Sequence, residues 1–121
     1  MIRTMLIVEN NRLLIDLLKA MIKKDHPGVT IIHTDAGAAW DLIDRSGVRF
    51  DLVISNVGKG FSHGVELAEK IRKSHPDVQI ILMSGGGEPK GHKAHAFLHK
   101  PFRPKDFLAT IEALIENKRK K

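Results

Sequence analysis

The sequence predicts an α/β domain with a doubly wound, five-stranded parallel sheet. Short β-branched runs recur five times, and a helical pattern of apolar residues follows most of them. The first run, "TMLIVE", is continuously apolar, as a strand covered on both faces must be. Strands that alternate with helices connect by βαβ crossovers, which place a parallel sheet between two helical layers.

The elements follow in order. "TMLIVE" (4–9) is the first strand, and "NRLLIDLLKAMIKK" (11–24) is the helix after it. Leu14, Leu17, Leu18, Met21 and Ile22 are expected on one buried stripe of that helix. Asn10 or Asn11 can cap it, Lys23 and Lys24 suit the negative end of its dipole, and Pro27-Gly28 stop it. "VTIIHT" (29–34) is the second strand, and Asp35 caps a small-residue helix, "AGAAWDLIDRS", that Gly47 ends. "DLVISN" (51–56) is the third strand. A glycine-rich loop and the helix "VELAEKIRKS" follow, and that helix stops before Pro76. "VQIILMS" (78–84) and "AFLHK" (96–100) are strands four and five. "PKDFLATIEALIENK" (104–118) closes the pattern, with Pro104 at its start and Phe107, Leu108, Ile111, Leu114 and Ile115 on one face.

One connection breaks the alternation. Between strands four and five lies "GGGEPKGHKAH", four glycines and a proline in 11 residues. Each glycine costs a helix roughly 1 kcal/mol and an internal proline about 3. A mobile loop or a single turn is expected there, so the fourth helix is shortened or missing.

Composition narrows the function. The 121 residues suit one domain, 1–121, with room for a single core; 42% are apolar and 28% charged. No apolar run approaches the ~18 residues of a membrane span, and the start lacks the features of a signal peptide. With no cysteine there is no disulfide, thiolate nucleophile or Cys-based metal site. A cytoplasmic protein is the plain expectation. The net charge is +6, with basic residues concentrated in "KGHKAHAFLHKPFRPK" and "NKRKK". Such clusters suit an acidic partner or simply a solvated surface. One Trp and no Tyr leave little for stacking single-stranded bases.

In a parallel open sheet, sites form beyond the carboxyl ends of the strands. That rule selects Glu9 and Asn10, Asn56, Ser84 and Lys100. A set of carboxylates, a hydroxyl and a lysine at such an edge would make a magnesium-assisted phosphoryl-accepting site. With "LIVEN", "DLVISN", "ILMSG" and "FLHKPF" in this order, the whole chain resembles the receiver domain of two-component response regulators, a flavodoxin-like fold. The resemblance places Glu9 and Asn10 at the acidic pair and Asn56 at the phosphoaccepting aspartate. It places Ser84 at the switch hydroxyl, Phe97 at the aromatic switch residue and Lys100 at the phosphate-site lysine. Gly58 falls where the family turns a backbone carbonyl to magnesium, and the resemblance implies a cis peptide at Lys100-Pro101.

The departures bear on chemistry. Asn56 is an amide where the family has its phosphoacceptor, and Asn10 replaces the acid that ligates magnesium directly. "GKGF" (58–61) stands where the family often carries a Met-Pro pair. An amide cannot form an acyl phosphate, and a hard dication seeks anionic oxygens. The expectation is a degenerate receiver with no intact catalytic residue and no required cofactor. Glu9, Asn10, Asn56 and Gly58 would hold magnesium weakly at most.

Other readings compete. Ser84 could be a strand-end hydrogen-bonder and Phe97 a core residue. His92, His95 and His99, with Glu88 nearby, invite zinc or nickel, but no helix fixes their spacing. "GGG" (85–87) lacks the Lys-Ser/Thr of a phosphate loop. A substitute acceptor could restore phosphotransfer, yet strand alternation turns Ser55, the neighbour of Asn56, away from the site. A basic-surface nucleic-acid binder would weaken steeply with salt. The leading expectation is a signalling module, not an enzyme, whose partner is a histidine kinase or a downstream effector. The contact surface expected for it is strand five, the last helix and residues 85–95. The chain is either a stand-alone protein or a fragment of a longer regulator.

Overall fold

A computed structural model describes residues 2–58 and 63–119. The elements are β1 (Thr4–Val8), α1 (Arg12–Asp25), β2 (Thr30–Thr34), α2 (Ala36–Arg45), β3 (Leu52–Asn56), α3 (His63–Ser74), β4 (Gln79–Ser84), β5 (Ala96–His99) and α4 (Pro104–Arg119). The strands form one parallel sheet in the order β2-β1-β3-β4-β5. The order reverses beside β1, so the crevice of the open sheet lies between the carboxyl ends of β1 and β3.

The continuous apolar strands fill two cores because successive side chains point to opposite faces. Met5, Ile7, Leu52, Ile54, Ile81 and Met83 face α1 and α4, where Leu18, Ile22, Phe107 and Ile111 meet them. Leu6, Val8, Val53, Ile80 and Leu82 face α2 and α3, against Ala39, Ile43, Ala68 and Ile71.

Local chemistry sets the helix starts. Asn11, not Asn10, caps α1, its Oδ1 accepting from the Leu14 N–H at 3.2 Å. Asp35 caps α2 through the Ala38 N–H at 2.9 Å. α3 begins at His63, two residues before the expected start. Its Gly64 permits a close approach: a Cβ there would lie 2.7 Å from the Asn56 carbonyl oxygen and from the Val57 Cα.

The expected stripe of α1 needs one correction. Leu17 is 51% exposed, and Ile15 is the buried residue of that turn, beside Leu18 and Ile22. Leu14 and Met21 pack at the edge of the core as expected. A wider apolar band than the core needs runs along α1, and Leu13, 82% exposed, belongs to its outer margin.

No helix joins β4 to β5: residues 85–95 form bends and a turn. The segment is nevertheless tied down. Arg72 of α3 donates to the Lys93 carbonyl at 3.1 Å, the His92 ring lies 2.7 Å from Glu88, and the His95 N–H extends the sheet to the Ile80 carbonyl. Among the described residues, no helix is long and apolar enough to cross a membrane.

Candidate functional site

The carboxyl edge of the sheet gathers Glu9, Asn56 and Lys100, three of the residues that the strand-end rule selects. Glu9 directly follows β1, and its N–H still pairs with the Thr34 carbonyl at 3.0 Å. The chain then turns into α1, bringing the Asn10 and Asn11 N–H groups to Glu9 Oε2, each at 3.0 Å. The positive end of the α1 dipole favours a carboxylate there. Glu9 Oε1 takes the Lys100 ammonium at 3.0 Å, with the Glu9 side chain only 2% exposed. Its partners therefore come entirely from the protein.

Lys100 reaches this position from the end of β5. Its N–H bonds the Ser84 carbonyl at 2.8 Å, and the peptide to Pro101 is cis, as the resemblance implies. From there Nζ bridges β1 to β3, donating also to Asn56 Oδ1 at 3.4 Å. Asn56 is the last residue of β3 and half-buried. Charge-assisted bonds of this kind are the stronger class, and burial makes the loss of either partner costly.

The other candidates stand apart from this contact. Asn10 is exposed and enters it through its backbone. The buried Ser84 hydroxyl accepts from the Gly86 N–H at 3.0 Å and so caps the turn after β4. Phe97 packs against the core between sheet and α2/α3, its ring 6.2 Å from that of His92. Gly58 has φ +85°, a left-handed conformation that suits glycine. The rest of "GKGF" lies outside the described residues. Ser55 is buried and donates to the Asn56 carbonyl at 2.9 Å, turned from the edge as alternation requires.

The histidines do not converge. His92 meets Glu88, His95 lies between the Ile80 N–H and Arg72, and His99 is exposed at the end of β5. Among the described residues no three His, Cys, Asp or Glu side chains are arranged to hold a metal ion. The late basic cluster is also divided, since Lys100 turns inward and Arg103 pairs with Asp106 at 3.1 Å.

Two features escaped the sequence reading. The backbone grip on Glu9 has no side-chain signature beyond an acid directly before a capped helix. The packing of Gly64 under Asn56 was hinted at only by a glycine in the first turn of a helix.

Comparison with known proteins adds the family. The response regulator receiver domain profile matches residues 5–112. Sensor kinase CckA of Brucella abortus is 31% identical over 97 residues, covering 74% of this chain and 10% of the kinase. Regulatory protein VanR of Enterococcus faecium is 28% identical over 122 residues, 95% of this chain and 51% of VanR. The chain thus spans about half or less of these relatives. A CheY-like receiver domain protein from Methanospirillum hungatei superposes with a TM-score of 0.82 at 25% identity, over 100% of both chains. A signal receiver domain of an HD domain-containing protein from Pseudomonas fluorescens superposes with a TM-score of 0.83 at 21% identity, again over 100% of both. With the family profile spanning nearly all of the sheet and its helices, the chain belongs to the response regulator receiver domains of two-component systems.

Proposed function

We propose that this chain is a receiver-type signalling module that is not phosphorylated itself and acts through protein–protein contacts. The observation that carries this reading is Asn56 at the end of β3, its Oδ1 taken by the Lys100 ammonium. An amide oxygen is neutral and a poor nucleophile, and no acyl phosphate can form on it.

The residues at this edge do not fit magnesium. The family position of the second acid holds Asn10, and Asn56 adds no charge. The one carboxylate, Glu9, is committed to Lys100 and to two backbone N–H groups. A cation that demands near-octahedral anionic oxygens would have to displace an ammonium to reach it. Lys100 here answers the charge of Glu9 directly.

The partner in this reading is a histidine kinase or a downstream effector. Its contact surface is β5, α4 and residues 85–95, where the chain departs most from the strand–helix alternation. Phe97 of β5 and Ser84, which ends the neighbouring β4, are the residues that would carry a conformational signal to it.

The test is chemical. Incubated with acetyl phosphate and magnesium, the protein keeps its mass; a gain of one phosphoryl group mapped within residues 54–58 overturns the reading. Replacing both amides, Asn10→Asp with Asn56→Asp, asks whether they alone block the chemistry. Two carboxylates about 4 Å apart repel by a gross ~4 kcal/mol at an effective dielectric near 20. The double variant should melt lower without metal and recover in millimolar magnesium by mass action. The absence of a magnesium-dependent shift would mean that the pocket differs in geometry as well as charge.

A further inference from the structure

Glu9, Lys100 and Asn56 set a proton acceptor, an amine and an amide carbon against one another. Lys100 Nζ lies 3.0 Å from Glu9 Oε1 and 3.4 Å from Asn56 Oδ1. The Glu9 side chain is 2% exposed, so water does not reach the carboxylate that faces the amine. A carboxylate at position 56 would resist a nucleophile by its charge. The Asn56 amide is uncharged, is polarised by the lysine on its oxygen, and carries a leaving group, ammonia.

The three groups are also held in place. Glu9 Oε2 accepts the Asn10 and Asn11 N–H groups, which leaves Oε1 to the lysine. Lys100 is anchored through its own N–H to the Ser84 carbonyl at 2.8 Å. The backbone after Asn56 is fixed by the Val57 N–H, which donates to the Met83 carbonyl at 2.8 Å. That bond also keeps the Val57 N–H from attacking the Asn56 side chain, the common route by which asparagine loses ammonia. Holding reacting groups about 3–3.5 Å apart turns a slow bimolecular exchange into a unimolecular step. The broad χ2 torsion of asparagine lets the face of Cγ turn toward Nζ.

We propose that Lys100 and Asn56 join in an intramolecular isopeptide bond, with Glu9 as the catalytic base. Glu9 Oε1 takes a proton from the Lys100 ammonium, and the freed lone pair attacks Asn56 Cγ. A C–N bond forms while the carbonyl π pair moves to Oδ1. Glu9 passes its proton to Nδ2 and takes a second one from Nζ. The carbonyl then reforms, the Cγ–Nδ2 bond breaks, and ammonia leaves with the last proton as ammonium. An ammonium and a carboxamide become a secondary amide and an ammonium ion, with no oxidant or co-reactant. The link joins β3 to the end of β5 across β4. The inference goes beyond the signalling reading, and the two fail differently: the link by an unchanged mass, that reading by a gained phosphoryl group.

The test is the intact mass of the purified protein, before and after prolonged warming below its melting temperature. The linked chain should be lighter by one ammonia, about 17 Da. Trypsin should release residues 50–59 and 94–105 as one branched peptide. Lys100→Arg keeps a cation without the amine and should retain the full mass. Glu9→Gln keeps the shape without the base, and its linked fraction at equal times should fall at least about tenfold. The mass of the natural chain decides the matter even where a variant does not fold. An unchanged mass overturns the proposal. So does a gain of about 1 Da at Asn56 through attack by water, an ammonia loss mapped to Asn10 or Asn11, or equal linking in the Glu9→Gln variant.

Discussion

At the carboxyl edge of the sheet, Glu9 is deeply buried, and the chain itself supplies partners to both its oxygens. At the amino edge, Gln79 is buried to a similar degree, and its Oε1 meets no donor among the described residues. The two edges belong to the same sheet and differ in the backbone that adjoins them. After β1 the chain turns into a helix N-terminus, whose N–H groups are free to be accepted. Before β4 it arrives from a helix C-terminus, which offers only carbonyls. A buried acceptor is thus answered at one edge and left over at the other.

Breaking the answered edge should have the largest effect. Lys100→Met leaves the Glu9 carboxylate buried with only its two backbone donors, and removing one partner of a buried pair typically costs about 3–5 kcal/mol. Adding Glu9→Gln should recover much of that loss, because the stranded charge is gone. Urea denaturation of the two single variants and the double gives the coupling directly. Additive losses would mean that the 3.0 Å contact contributes little.

The support beneath that edge comes next. At Gly64, an added Cβ meets two backbone atoms at 2.7 Å, so α3 or the loop after β3 must shift. Gly64→Ala should cost about 2 kcal/mol, in the range of overpacking. Gly28, where a Cβ has nothing within 4 Å, is the control, and Gly28→Ala should change stability by less than about 1 kcal/mol. Equal effects would show that propensity, not the close approach, decides both.

How much of this was legible depends on the kind of signal. The strands were read to within one residue because β-branched runs and their Gly/Pro boundaries are local. The absence of a helix between β4 and β5 was equally plain from four glycines and a proline. The α1 face was misread at Leu17, since a helix with Leu13, Leu14, Leu17 and Leu18 offers two overlapping stripes. Periodicity alone does not say that Ile15 wins the core. The strand-end rule brought out Glu9, Asn56 and Lys100, which do meet. It could not separate them from Ser84, whose hydroxyl is spent on a local turn, nor reveal the backbone grip on Glu9.

The smallest effect concerns the segment that lengthens the carboxyl edge. Residues 85–95 replace a helix with glycine-rich chain, so their amides should exchange far faster than those of Gln79–Ser84. The contrast should not be uniform within the segment. Gly86 donates to the Ser84 hydroxyl, Ala94 to the His92 ring, and His95 to the sheet, while the amides between Gly87 and Gly91 have no such partners among the described contacts. Exchange should therefore be fastest at 87–91 and slower at 94 and 95. The contact holding the middle is His92 to Glu88, at 2.7 Å with Glu88 58% exposed. Exposed pairs of this kind contribute about 0–1 kcal/mol, too little to move global unfolding. Glu88→Gln should then raise exchange a few-fold at Ala94 while leaving the melting temperature and the exchange of Gln79–Ser84 unchanged. A variant that loosens β4 as well would mean that the segment is part of the cooperative core. One that changes neither would mean that Arg72, through the Lys93 carbonyl and the His95 ring, holds the loop without help from Glu88.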